Sequence, residues 1–70
     1  METKVLCFSV FHYQRFELDK MSDEEKYDLA WVSSSFADDE SCVYSLKEFE
    51  NKLNDEDINI NNVWVYFVTR

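Results

Sequence analysis

The residues of this chain best suited to nucleophilic or metal chemistry are its single histidine and its two cysteines. A thiol nucleophile needs a base paired with it, and a zinc site needs three or four ligands at a set geometry. Cys7 and Cys42 are separated by 34 residues, and His12 is the only imidazole. These residues suggest neither arrangement. We therefore expect the cysteines to be small buried apolar residues and His12 to lie at the end of a strand.

Two acidic clusters, Asp38-Asp39-Glu40 and Asp55-Glu56-Asp57, are the next candidates, because hard cations bind carboxylate oxygens. In both clusters the carboxylates are adjacent rather than alternate, and no glycine shapes the loop. We therefore expect solvated loop acids with no metal or cofactor site. Weak, unselective binding of Ca²⁺ or Mg²⁺ is the alternative.

Acid–base catalysis by a carboxylate pair such as Glu48 and Glu50 would require a cleft that raises the pKa of one of them. Neither residue lies on the apolar stripe of its predicted helix. A chain of 70 residues also has little room for a ligand pocket of the usual ~300–1,000 Å³. We predict that the protein is not an enzyme and has no catalytic residues.

The chain contains no glycine and no proline, and this composition excludes several binding motifs. A phosphate-binding Walker loop, a dinucleotide-binding fingerprint and an EF-hand calcium loop all need glycine where the backbone turns sharply or approaches a phosphate. Turns must instead be formed by Asn, Asp and Ser, whose side chains bond to the nearby backbone.

The strongest strand signal is Val63–Thr69, whose seven residues include only one that is neither apolar nor aromatic. Its β-branched and aromatic residues predict a central strand with both faces covered. The segment Lys4–Phe11 predicts a first strand that is apolar on both faces, and residues 12–20 leave the end of that strand open. The segment Cys42–Tyr44 predicts a very short strand, suited to a sheet edge.

Two capping boxes predict where helices begin. The first is formed by Ser22 and Glu25, and the second by Ser45 and Glu48. In each box the hydroxyl accepts from the amide three residues ahead, while the carboxylate accepts from the amide of the serine.

The apolar residues of the two predicted helices are arranged differently. Those of the second helix lie in one narrow stripe, Leu46, Phe49 and Leu53. Those of the first helix fall in two nearly opposite stripes, Tyr27, Ala30 and Trp31 on one side and Leu29, Val32 and Phe36 on the other. Either this helix has two covered sides, or it ends near Trp31 and residues 31–36 are extended.

These elements predict a single domain over residues 1–70, of the α+β class. The order is β-α-β-α-β, arranged as a small two-layer fold with a three-stranded sheet and two helices packed on one face. Because the other apolar face then needs cover, we predict that a homodimer, or a docked partner, buries it. The residues assigned to self-association are Phe8, Phe11, Trp64 and Tyr66.

The formal net charge of −8 is concentrated in the middle of the chain. Residues 22–40 carry seven acids and one lysine, and residues 45–59 carry five acids and two lysines. An acidic protein is repelled by nucleic-acid phosphates and by anionic membranes. We therefore expect neither of them as a partner.

The acidic surface has three interpretations. It can keep a small domain soluble, or it can bind a basic protein around an aromatic centre. It can also imitate the phosphates of a nucleic acid and inhibit a DNA- or RNA-binding enzyme. The second interpretation assigns partner binding to Trp31, Tyr27, Asp38, Asp39 and Glu40. The leading hypothesis is a small acidic protein-interaction module that self-associates through its sheet.

Cysteine usage and hydropathy indicate a reducing, aqueous compartment. Two cysteines are too few for the disulfide framework of a small secreted domain. The early apolar run Val5–Phe11 is interrupted by Ser9 and is too short for a secretory leader or for crossing a bilayer. We expect a soluble cytoplasmic protein.

A helix cap, an apolar stripe and a strand follow one another in the last third of the chain, at Tyr44–Phe49, Leu53–Glu56 and Trp64–Val68. This layout resembles small uncharacterised proteins of gut bacteria and their mobile elements. The resemblance implies an accessory protein borne by a phage or a transposon, and it assigns no activity to any residue.

Overall fold

The structure, a computed structural model, describes residues 2–34 and 42–69. A three-stranded antiparallel sheet forms its centre. The strands are β1 (Thr3–Ser9), β2 (Cys42–Ser45) and β3 (Val63–Thr69), in the spatial order β2-β1-β3. The predicted α+β class and three-stranded sheet are thus confirmed.

Within the described residues, three α-helices and one 3₁₀ turn connect the strands. Helices α1 (Arg15–Asp19) and α2 (Asp23–Ser34) lie between β1 and β2, and α3 (Leu46–Asn54) precedes a turn at Ile60–Asn62. The sequence predicts α2 and α3 but not the short helix α1, which falls in residues 12–20, after the end of β1. The residue before α1, Gln14, makes no side-chain capping bond. The sequence therefore carries no start signal for this helix.

The central strand is β1 and not β3, which corrects the prediction made for Val63–Thr69. The backbone of β1 pairs with β2 on one side and with β3 on the other, and each of its residues from Val5 to Ser9 is buried. Among the described strands, β3 pairs with β1 alone. The short strand β2 forms the opposite edge of the sheet, as predicted.

The helices cover opposite faces of the sheet, which corrects the predicted two-layer arrangement with both helices on one face. Successive side chains of a strand point to opposite faces. One apolar cluster, between the sheet and helices α1 and α2, contains Leu6, Phe8, Leu18, Ala30 and Val68. The other cluster, between the sheet and α3, contains Val5, Cys7 and Phe49. The domain therefore has three layers.

Both predicted capping boxes form. Ser22 Oγ accepts from the Glu25 amide at 3.2 Å, and Glu25 Oε1 accepts from the Ser22 amide at 3.1 Å. The hydrogen bond from the Ser22 amide, and second the one from the Ser22 side chain, lower the pKa of the Glu25 carboxyl below its ordinary value. The same pair of bonds joins Ser45 and Glu48, at 3.2 and 3.4 Å.

Helix α2 continues past Trp31 to Ser34, so the described part of segment 31–36 is helical rather than extended. Its buried side combines Ala30 with parts of Tyr27 and Leu29. Trp31 and Val32 are exposed. Neither predicted stripe of α2 is buried as a whole, and Phe36 lies outside the described residues.

The end of α3 is closed without glycine. The Asp57 amide donates to the Lys52 carbonyl at 2.9 Å, and the Glu56 amide donates to the Leu53 carbonyl at 3.2 Å. This is the Schellman pattern, in which one residue takes the left-handed conformation that favours glycine. Glu56 takes it here, with a φ of 61°. In the helix itself Phe49 is buried, whereas Leu46 of the predicted stripe is exposed.

Candidate functional site

The residues predicted for self-association lie mostly inside the subunit. Phe8 is fully buried, and Trp64 and Tyr66 are partly buried against the same cluster. Phe11 is 72% exposed, beyond the end of β1. Helices pack on both faces of the described sheet, so these four residues do not form one uncovered apolar face. Self-association stays a prediction.

A cluster of cationic and aromatic side chains fixes α1 against β3. The Arg15 guanidinium lies 5.6 Å from the ring centroid of Trp64 and 5.7 Å from that of Tyr66. The indole N–H of Trp64 donates to the carbonyl of Tyr13 at 2.9 Å. The Tyr66 hydroxyl donates to Asp19 Oδ1 at 2.7 Å. These contacts join elements of one subunit, so we assign them to stability.

Lys26 of α2 completes this cluster as a buried charge, 8% exposed. Its Nζ lies 4.4 Å from the ring centroid of Tyr66 and 3.6 Å from Asp23 Oδ1. Burial, and second the hydrogen bond to Asp19, raise the pKa of Tyr66 to about 12. The Tyr66 hydroxyl is therefore neutral at physiological pH and acts as a donor rather than as a base.

The direction of the backbone groups of β3 follows from its pairing with β1. In an antiparallel pair, alternate residues exchange hydrogen bonds with the partner strand. The Val10 amide donates to the Asn62 carbonyl at 3.0 Å. These two residues continue the register in which Ser9 stands opposite Val63. Along β3, the even-numbered residues therefore bond inward to β1.

The odd-numbered residues of β3 direct their N–H and C=O groups away from the sheet. They are Val63, Val65, Phe67 and Thr69. No described strand pairs with these outward groups. The edge therefore offers a regular series of donors and acceptors to an added strand.

The edge strand itself, and the segment that leads into it, carry no charged side chain. Phe67 is 58% exposed, and its ring contacts that of Phe49 with centroids 6.4 Å apart. Residues 58–69 carry no charged side chain. Edge strands are usually protected from pairing by lysine, proline or a bulge. β3 has neither of these residue types, and its register with β1 is unbroken over seven residues.

The residues predicted to bind a basic partner fall only partly within the described structure. Tyr27 and Trp31 are neighbours on α2, with T-shaped rings 6.2 Å apart, and Trp31 is 53% exposed. The three acids in the first turn of α2 are exposed as well. The remaining members, Asp38, Asp39 and Glu40, lie outside the described residues.

In the part of the chain that the structure describes, the candidates for catalysis and metal binding are not assembled into a site. Cys7 is 2% exposed, as expected for a buried apolar residue, and the backbone register places it opposite Cys42. His12 is exposed after the end of β1. Within residues 2–34 and 42–69, no three His, Cys, Asp or Glu side chains are grouped so that they could hold a metal ion.

Two shallow depressions adjoin the end of α3. The first, of about 290 Å³, is lined by Cys7, Tyr44, Asp57, Ile58, Asn59, Asn62 and Val63. The second, of about 420 Å³, is lined by Leu53, Glu56, Ile58, Asn59 and Ile60. Each depression has one carboxylate among its described lining residues, Asp57 in the first and Glu56 in the second. Neither therefore contains the pair of carboxylates that general acid–base catalysis would use. Glu48 is committed to its helix cap.

No protein-family model matches the chain, and no curated protein or solved structure is significantly similar to it. The resemblance to small proteins of gut bacteria and their mobile elements therefore stays a prediction. Among the described helices, none is both long enough and apolar enough to cross a membrane.

Proposed function

We propose that this protein is a non-enzymatic protein-interaction module that binds by accepting a strand at the outer edge of β3. The observation that supports the proposal is the outward N–H and C=O groups of four residues on a strand without charge. Main-chain hydrogen bonds supply the affinity in this mode of recognition, and side chains beside the edge supply the specificity.

The arrangement of the helices favours the edge over the faces as the binding element. Helices α1 and α2 cover one face of the sheet and α3 covers the other. A partner therefore meets ordered backbone at the edge together with the exposed ring of Phe67. The strand is held in its extended conformation by β1 before the partner arrives, which lowers the entropic cost of binding.

The test is affinity capture from cell extract, followed by hydrogen exchange on the captured complex. We expect the wild type and Phe11→Lys to retain the partner, because Phe11 follows β1 and is not part of the edge strand. Phe67→Lys should lose it, because a lysine at the edge blocks strand addition. In the complex, the amides of Val65 and Phe67 should become protected from exchange. A captured partner that leaves both amides as fast as in the free protein would contradict the proposal.

A second candidate function is the binding of a basic protein by the outer surface of α2. It is favoured by the half-exposed indole of Trp31 on a helix whose first turn carries three exposed acids. Aromatic residues in acidic surroundings suit arginine-rich partners, because the ring and the carboxylates both attract the guanidinium group. Imitation of a nucleic acid uses the same surface, with a nucleic-acid-binding enzyme as the partner.

The two candidates differ in which substitution and which salt concentration disrupt binding. For the α2 surface, Trp31→Ala should reduce capture of the partner and Phe67→Lys should not. Binding should also weaken as ionic strength rises, because charged contacts at a surface are screened. Capture that survives high salt and Trp31→Ala but is lost in Phe67→Lys would leave the β3 edge as the binding element.

A further inference from the structure

Resting on the proposed function, we infer that the strand received by β3 is β3 of a second copy. The two strands run antiparallel and are related by a twofold axis. This axis lies midway between the two copies of Tyr66, which stand opposite each other. The result is a continuous six-stranded sheet, in the order β2-β1-β3-β3-β1-β2.

The register follows from which residues of β3 face outward. Antiparallel strands exchange hydrogen bonds only where outward-facing residues meet outward-facing residues. When Tyr66 stands opposite Tyr66 of the second copy, Val65 pairs with Phe67 of the second copy and Val63 pairs with its Thr69. All seven residues of the strand are then paired, with about eight new backbone hydrogen bonds. An axis through Val65 or Phe67 also matches the bonding pattern, but it leaves two residues of each strand unpaired.

The side chains of β3 are self-complementary in this register. On the α3 side of the sheet, the exposed ring of Phe67 stands beside Val65 of the second copy. On the opposite side, Trp64 stands beside Val68. Pairs of an aromatic residue with a β-branched residue are among the favourable cross-strand neighbours. Each pair occurs twice because of the symmetry, so the dimer covers both copies of Phe67 at the junction.

The self-complementary register of β3 argues for a second copy as the occupant, and the distribution of charge allows it. Two subunits with a net charge of −8 repel each other, so a self-contact must keep the acids apart. Helix α2, with four acids and one lysine, lies chiefly over β1 and β2, toward the edge opposite to β3. Helix α3 carries two glutamates and two lysines and so adds no net charge. The strand itself is uncharged, and Arg15 and Asp19 beside it lie within ion-pair distance, at 4.0 Å. The twofold arrangement therefore joins the subunits where each is least acidic.

Sedimentation velocity over a wide range of concentrations tests the association. We expect the wild type and Phe11→Lys to pass from monomer to dimer. Phe67→Lys should raise the dissociation constant at least tenfold, since each dimer receives two lysines at the junction. A wild type that stays monomeric at its highest soluble concentration overturns the inference. The capture experiment described above then decides separately whether the edge binds another protein.

Disulfide trapping tests the register. Val65→Cys and Phe67→Cys proteins are mixed, oxidised with copper phenanthroline and mapped by mass spectrometry, which also distinguishes any bond to Cys7 or Cys42. An axis through Tyr66 predicts a mixed disulfide between positions 65 and 67 in excess over either symmetric disulfide. A predominant 65–65 or 67–67 disulfide overturns the proposed register.

Discussion

Tyr66 connects three elements through one side chain. Its hydroxyl donates to Asp19 of α1, its ring lies beneath Lys26 of α2, and its backbone belongs to β3. At the scale of single residues, this side chain holds both helices of one layer to the sheet. The hydroxyl must keep its proton to act as the donor, so its contribution depends on pH.

The pKa of Tyr66 rises from 10.0 to about 12 on folding. A raised pKa favours the protonated form in the folded state, so the contribution is complete below pH 10 and is lost as pH rises through about 12. We expect the free energy of unfolding, measured with urea, to fall more steeply over this range in the wild type than in Tyr66→Phe. Tyr27→Phe keeps the Tyr66 hydroxyl and should retain the wild-type slope. Equal slopes in all three proteins would contradict this role.

At the scale of elements, the helix caps were predictable from the sequence because their signal is local. Ser and Glu three residues apart satisfy each other's backbone amides wherever the helix packs. The short helix α1 was not predictable, because its contacts to β3 come from residues about fifty positions away, as in the pair Tyr66 and Asp19.

The position of β3 in the sheet was not predictable for a related reason. A central strand and an edge strand with helices on both faces have the same sequence pattern, apolar residues on both sides. The sequence therefore does not distinguish them. The outer edge of β3 could not be predicted as a binding site for the same reason. Which backbone groups are unpaired can be worked out only after the strand order is known. The signal that the sequence did contain was the uncharged stretch 58–69.

The left-handed residue at the end of α3 gives a prediction at this scale. A residue with a Cβ atom in this conformation costs roughly 1–2 kcal/mol, which glycine avoids. We expect Glu56→Gly to increase the free energy of unfolding by about 1 kcal/mol, measured by urea denaturation. Glu50→Gly, in the interior of the same helix, should decrease it by about 1 kcal/mol. A destabilised Glu56→Gly protein would show that the Glu56 side chain matters more than its backbone.

At the scale of the whole molecule, a net charge of −8 on 70 residues opposes the compact state through self-repulsion. Raising the ionic strength from ~10 to ~150 mM shortens the screening length from about 30 to about 8 Å. We expect the added salt to increase the free energy of unfolding of Phe67→Lys, measured at a concentration at which this variant is monomeric. Asp28→Lys and Glu50→Lys, added together, should reduce this salt response. An unchanged or negative response to salt would contradict the prediction.

The three-layer arrangement also determines how the protein can respond to its own abundance. Each subunit encloses its apolar interior with its own helices, so it is a complete fold before any encounter. A contact formed along the outer edge of β3 can then dissociate without unfolding the subunit. In the proposed dimer, the protein concentration relative to the dissociation constant sets the ratio of monomer to dimer, and thereby how many unpaired β3 edges are present for other proteins.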